Sequence, residues 1–373
     1  MRLSSLLDEK KIANGLPSLA YTDSEFWQME CETVLANNWA FVGFAHELKE
    51  NGDVLPISLA EKPILLVKNA NGNIVAFHNV CKHRCLKLVD QAKNVGNMIS
   101  CPYHAWTFDL DGTLRASPFF GGTDSDQPPD FNADEHCLES VRIKVWHDWI
   151  FINLNDNAPP FEEYAAPLIK RLKNINFEKI YPAGTIEFDK ISTNWKFLIE
   201  NYIEPYHVPF VHSKTTKQPL SDHYTIVDGR CLGSGVNLSE ENTAEDKLSV
   251  SSKYLSLFPN FIIGTYCHDQ RYLGVHLNQA LGPNCSYQKR VIYASEGHEL
   301  TKDEVEFHKK LWTQVHKEDH AICEWLQQGR ASPVAKKGGV LSPHWENHVR
   351  EFQKLVIESV IEYSKVQKEE IQA

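Results

Sequence analysis

Nowhere in its 373 residues does the chain hold an apolar run approaching the roughly 20 residues of a membrane span. Basic residues are in short supply as well. The 38 Lys and Arg are outnumbered by 49 Asp and Glu, for a net charge of −11. That balance argues against nucleic acid or an anionic membrane surface as the main partner. No internal repeat or low-complexity segment is evident. The opening Met1-Arg-Leu-Ser-Ser-Leu-Leu-Asp8 turns to charge before a signal-peptide core could form, so the expectation is a chain that stays in the cytoplasm. A disulfide framework is also lacking. The nine cysteines, at 31, 81, 85, 101, 137, 231, 267, 285 and 323, are odd in number and scattered. Reduced thiols, two of them recruited as ligands, fit that pattern better.

What is present is the composition of a soluble globular protein, 42% apolar and 23% charged. The length favours two domains over one core. Residues 1–37 read as partly helical, with Thr22-Asp-Ser24 capping a segment from Glu25 to Asn37. From Trp39 the periodicity becomes that of strands. Pro63–Lys68 and Ile74–His78 flank the hairpin signal Asn71-Gly72, and Thr107–Leu110 and Thr113-Leu114 flank Asp111-Gly112. Val141–Trp146 and Ile150–Leu154 close this β region. Beyond the polar, proline-bearing exit at Asn155–Pro160, helices are expected over Phe161–Lys173 and from Ser192, with strand-like pieces between and after them. The predicted fold class is α+β: a small all-β domain, 38–154, inserted before an antiparallel-sheet-plus-helices domain, 155–373, to which residues 1–37 belong.

Two constellations stand out. In the first, Cys81-Lys82-His83 is followed after seventeen residues by Cys101-Pro102-Tyr103-His104. Two thiolates and two imidazoles suit either tetrahedral zinc or a two-iron cluster with mixed ligation, in which the histidines take one iron and the cysteines the other. One residue between Cys81 and His83 is unusual for zinc, whose ligand pairs generally stand further apart. The second constellation runs from Asn194 to His212. Trp195, Leu198, Ile199, Tyr202 and Tyr206 form an apolar stripe at helical spacing, while Glu200, Glu204 and His207 fall on another line. Pro205 and Pro209 make the helix irregular and bring His212 round by a non-helical path. His207 and His212 supply two metal ligands, and a third must come from elsewhere.

Periodicity indicates where. Thr301-Lys-Asp-Glu304 is a capping box that starts a helix from Lys302 to about Gln328. Asp319 lies within its apolar stripe of Val315, Ile322 and Leu326, and a buried carboxylate is costly unless it is paired or binds metal. His207, His212 and Asp319 then make the two-histidine, one-carboxylate face that leaves positions on ferrous iron open for oxygen. Glu318 is the rival ligand, but its angular position points away from the stripe.

Val80-Cys-Lys-His-Arg84 and Cys101-Pro-Tyr-His-Ala-Trp106 closely resemble the two cluster-binding loops of Rieske non-haem iron oxygenases. Asn201-Tyr-x-Glu-x-Tyr-His-x4-His212 resembles the mononuclear iron motif of the same family, and Glu318-Asp319 with Glu324 matches the setting of its iron aspartate. One departure is Cys85, where the family usually has glycine; it is read as a buried free thiol and not a ligand. The resemblance to the catalytic α subunit covers nearly the whole chain. It implies a Rieske [2Fe–2S] cluster on Cys81, His83, Cys101 and His104, and mononuclear Fe(II) in a catalytic domain. It also implies O2 and a small-molecule substrate, and an NAD(P)H-dependent flavin or iron–sulfur reductase that delivers electrons directly or through a ferredoxin. A homotrimer is implied too, in which the cluster of one subunit feeds the iron of its neighbour across an acidic residue. That residue, usually aspartate, is here Glu204, and glutamate is associated with the branch acting on glycine betaine and carnitine. The alternatives are an aromatic-ring dioxygenase, a Rieske electron carrier and a zinc-stabilised non-catalytic protein. Tyr202, Phe210, Phe258, Tyr266, Val275 and Leu277 are candidate pocket walls, although residues of these types are more often plain core.

Overall fold

The structure, a computed structural model, describes residues 7, 12–216, 219–237, 251–266 and 271–370. Cys267 and all but one of the first eleven residues, where a leader was sought above, lie outside the described residues. The chain divides into two compact units. One holds Phe41–Ala158, and the other holds Met1–Ala40 with Pro159–Ala373.

The smaller unit consists of short antiparallel strands. β1 (Ala40–Phe44), β2 (Asp53–Leu59), β3 (Lys62–Lys68), β4 (Ile74–His78) and β5 (Lys93–Asn94) come first, then β6 (Met98–Ser100), β7 (Thr107–Asp109) and β8 (Leu114–Ala116). β9 (Arg142–Trp146) and β10 (Trp149–Asn153) complete it. They form three sheets, ordered β4-β3-β2-β5, β6-β7-β8 and β9-β10-β1. Both expected hairpins are present. Gly72 and Gly112 take left-handed φ values of 79° and 85° in the turns after β3 and β7, which glycine reaches without steric cost. A Cβ on Gly112 would also meet the Phe77 ring at 2.6 Å. Val54, Leu65, Val67, Phe77, Ile99 and Phe108 form the core, and Cys81 and Cys101 are buried in the same cluster.

The larger unit is built on a seven-stranded antiparallel sheet. Its strands are β11 (Ile180–Ile191), β12 (His223–Asp228), β13 (Cys231–Asn237), β14 (Ser251–Leu257), β15 (Phe261–Thr265), β16 (Tyr272–Gly282) and β17 (Cys285–Ser295). Their spatial order is β11-β17-β16-β15-β14-β13-β12. The helices used below are α1 (Ser24–Glu30), α2 (Trp195–Ile203), α3 (Lys302–Gly329) and α4 (Asn347–Glu370). Asp23 caps α1 by accepting from the Phe26 amide at 2.9 Å. The capping box of α3 forms in both directions between Thr301 and Glu304. β13, β14 and α4 carry no expectation above. β13 is Gly- and Ser-bearing and reads as loop, and only its neighbours in the sheet make it a strand.

Candidate metal centres and the cavity at the second

The two Cys/His loops of the smaller unit repeat one another bond for bond. The Cys81 amide donates to the Leu86 carbonyl at 2.8 Å, and the Cys101 amide donates to the Trp106 carbonyl at 2.8 Å. Cys85 N–H reaches Cys81 O at 3.0 Å just as Ala105 N–H reaches Cys101 O at 3.0 Å. Each loop then reverses through a left-handed residue, Cys85 at φ 55° and Ala105 at φ 54°. The His83 and His104 rings come together with centroids 4.7 Å apart, and His83 stacks on Trp106 at 5.0 Å. Cys85 is exposed, not buried as expected. The reversal carries its side chain to the rim of the loop, past Cys81, the last side chain of the loop to enter the core.

The two ligand-set readings call for different spreads of the four donors. Among the described residues, only His207, His212 and Asp319 bring three such atoms within 4.8 Å of one another. One tetrahedral zinc, about 2.0–2.3 Å from every ligand, would gather Cys81, His83, Cys101 and His104 as closely. Two irons would not. Burial and the neighbouring Cys101 push the Cys81 thiol up to about 11, so a metal that binds there must displace its proton.

In the larger unit, α2 ends at Ile203 because Glu204 precedes a proline and takes extended backbone at φ −93°, ψ 138°. Glu200, Glu204 and His207 therefore do not share one helical line. Glu200 is instead buried, accepting from Tyr21 Oη at 2.8 Å and Gln353 Nε2 at 3.1 Å. Burial pushes its carboxyl up to about 7. Tyr206 leaves the apolar stripe for the surface. Glu204 binds the turn that follows: its Oε2 accepts from the amides of Tyr206 and His207, and its Oε1 lies 2.7 Å from His207 Nδ1.

α3 supplies the rest. Asp319 Oδ1 lies 3.5 Å from His207 Nε2 and 2.9 Å from His212 Nε2. Glu318 Oε2 sits 2.7 Å from His212 Nδ1, and Thr215 Oγ1 donates to the same oxygen at 2.6 Å. Both histidines thus turn Nδ1–H to a carboxylate and aim Nε2 at Asp319 Oδ1, a buried oxygen with no hydrogen-bond partner. Three lone pairs converging on one point need a cation. Burial alone would lower both histidines, but the carboxylates of Glu204 and Asp319 outweigh it at His207, and those of Asp319 and Glu318 at His212, so both are raised. The donor set fits mononuclear iron.

These three residues line one cavity with Glu204 and Tyr202. Of the other expected walls, Phe210 is 71% exposed, Phe258 packs against Phe352, and Val275 and Leu277 are core. None of the four lines the cavity, and neither does Tyr266, which meets a cavity residue from behind. The walls instead include His223, Tyr254, His276, Arg290, Trp312 and His316. Sequence reasoning missed these because each lies on a strand or helix whose neighbours only the fold decides. Buried His223 has no partner for either ring nitrogen.

Residues 38–125 match the Rieske [2Fe-2S] domain, and residues 170–362 match the ring hydroxylating alpha subunit (catalytic domain). The chain is similar to the glycine betaine monooxygenase oxygenase subunit of Chromohalobacter salexigens, 32% identical over 56% of this chain and 45% of that one. It is also similar to the chloroplastic choline monooxygenase of Arabidopsis thaliana, 25% identical over 87% of this chain and 78% of that one. The match spans about half the length of the glycine betaine relatives. In fold it resembles the quaternary ammonium Rieske monooxygenase CntA, solved with substrate gamma-butyrobetaine, at TM-score 0.79 and 21% identity over 96% of this chain and 99% of that one. The chain belongs to the ring hydroxylating alpha subunit family, whose domains carry a Rieske [2Fe–2S] cluster and mononuclear iron.

Proposed function

We propose that the chain, as a member of that family, is the terminal oxygenase component of a monooxygenase that hydroxylates or oxidatively demethylates a small organic substrate. The observation that carries the reading is the convergence of His207, His212 and Asp319 on one point, each histidine held from behind by a carboxylate. That arrangement leaves one face of a bound metal open towards the cavity. Iron bound there would supply oxygen activation, with electrons from the cluster. The residues of this chain do the rest. Cys81, His83, Cys101 and His104 hold the cluster; Glu204 and Glu318 fix the tautomers and ring orientations of the two iron histidines; the cavity excludes water and positions the substrate.

The reading includes partners. An NAD(P)H-dependent reductase reduces the cluster, directly or through a ferredoxin, and the chain works as a homotrimer in the cytoplasm. In the trimer, Glu204 accepts from His104 of a neighbouring copy while holding His207 of its own. The relatives named above support a quaternary ammonium or similar aliphatic substrate over an aromatic ring. Purified protein should be coloured, hold three irons and two sulfides per chain, and consume NADH and O2 with substrate in the presence of a reductase. One zinc and no sulfide would overturn the proposal.

A further inference from the structure

Arg290 on β17 is the largest fully buried side chain that lines the cavity, and its position is prepared. It is fully buried and lines the same cavity as His207, His212 and Asp319. Its guanidinium lies across Gly274 on β16, where a Cβ would come within 2.5 Å of Nη2. Gly274 pairs in register with Gly264 on β15, whose Cβ would strike the hydroxyls of Tyr266 at 2.5 Å and Tyr202 at 2.6 Å. Two facing glycines thus clear the sheet for one tier of polar side chains. Any larger residue at Gly274 would push the guanidinium out of place.

Among the described residues the partners of Arg290 are all neutral. Nη1 donates to His276 Nε2 at 2.7 Å, Nη2 donates to Tyr266 Oη at 2.6 Å, and the guanidinium carbon stands 3.7 Å over the Trp312 ring. His276 must be uncharged to accept, and burial together with Arg290 and His316 keeps its pKa well below the usual histidine value. Nε is buried and has no partner. Among the described residues no carboxylate pairs with Arg290. Hydrogen bonds to neutral groups satisfy donors but do not cancel the charge, and an unpaired buried cation is costly to the fold. A purely structural role would be served by an ion pair, as Lys196 and Glu30 show elsewhere in this unit at 2.7 Å. A buried guanidinium in a cavity, with no counter-ion among the described residues, fits a ligand that brings the counter-charge.

We infer that Arg290 is the docking group for a carboxylate on the substrate. This rests on the oxygenase reading and narrows it. The cavity takes a zwitterion or an anion and disfavours a bare cation such as choline, which Arg290 would repel. The shared chemistry is the carboxylate, and it has two sources: a trimethylammonium acid, or an aromatic acid such as salicylate.

The test is calorimetric binding to the metal-loaded full chain, with glycine betaine, L-carnitine and salicylate as probes, the methyl ester of each, and choline. At least one acid should bind the wild type about tenfold or more tighter than its ester, the weight of hydrogen bonds to a charged partner. The acid that does so identifies the source. Arg290→Gln should erase that preference, and Arg290→Lys should restore part of it. Repeated on metal-free protein, where no open metal face can take the carboxylate, the ester comparison needs no variant, so it decides even if the substitutions fail to fold. Acids that bind no better than their esters, or no binding by any of the three, overturn the inference. Turnover is scored separately. Arg290-dependent acid binding without substrate-driven reoxidation of the cluster keeps the anion site and sinks the oxygenase reading. Choline turning over equally in wild type and Arg290→Gln does the reverse.

Discussion

His212 is gripped from behind by Glu318, whose Oε2 lies 2.7 Å from Nδ1 while Asp319, the next residue, meets Nε2 of the same ring at 2.9 Å. Consecutive carboxylates of one helix thus reach both edges of one imidazole, one placed to fix its tautomer and the other to share a metal with it. Glu318, considered above only as a rival ligand, is a positioning residue. Its angular position points away from Asp319 because it approaches the histidine from the far side.

Asp319 and Glu318 should therefore fail differently. Asp319→Ala is expected to lose the mononuclear iron and all oxygenation while keeping the visible spectrum of the cluster. Glu318→Gln should weaken iron retention and activity by roughly 10–100-fold, the usual effect of removing a carboxylate behind a metal histidine. Iron counts and turnover on both variants distinguish the two roles. Full iron in Asp319→Ala would move the ligand elsewhere.

Glu204 spends one oxygen on His207 Nδ1 and the other on two backbone amides. Glu204→Gln keeps the shape but loses the charge, so both metals should stay bound while reoxidation of the reduced cluster by O2 with substrate slows greatly. Glu204→Asp keeps the charge, shortens the reach, and should retain some activity. Single-turnover reoxidation is the measurement, and wild-type rates in Glu204→Gln would rule out a bridging role.

For the cluster, His83→Cys or His104→Cys should lower the reduction potential, since thiolate adds negative charge that imidazole lacks. The electron paramagnetic resonance signal should shift with it. An unchanged potential in both variants would remove these residues from the ligand set.

Glu200 gives the larger unit a pH dependence with a definite sign. Its carboxyl rises from 4.5 to about 7 in the fold, chiefly through burial. The native state therefore holds a proton that the unfolded chain releases. This stabilisation is complete below about pH 4.5 and is lost as pH rises through about 7, on the order of 3 kcal/mol in all. Glu200→Gln mimics the protonated form and keeps an acceptor for Tyr21. Its thermal stability relative to wild type should thus improve between pH 5 and 8, and parallel melting curves across that range would refute the assignment.

Much of this protein was legible residue by residue. The hairpin turns at Gly72 and Gly112, the capping box at Thr301 and the Cys/His couples are local chemistry, where a few neighbouring side chains decide the backbone. Helical period singled out Asp319 over Glu318, but part of the stripe behind that reading is surface: Leu326 is exposed, and the two carboxylates are about equally buried. The α2 line through Glu200, Glu204 and His207 did not survive, because Pro205 ends the helix sooner than the periodicity of the side chains suggests. Cys85 looked buried because free thiols usually are, but the left-handed turn at its own φ carries it outwards. What only the tertiary structure decided is which distant residues meet. Arg290 faces His276 because β16 and β17 pair in one register, Gly274 and Gly264 face each other because β15 and β16 do, and Trp312 covers the guanidinium because α3 crosses that sheet. Sheet register and helix docking are set by the burial of whole faces at once, which no short stretch of sequence encodes.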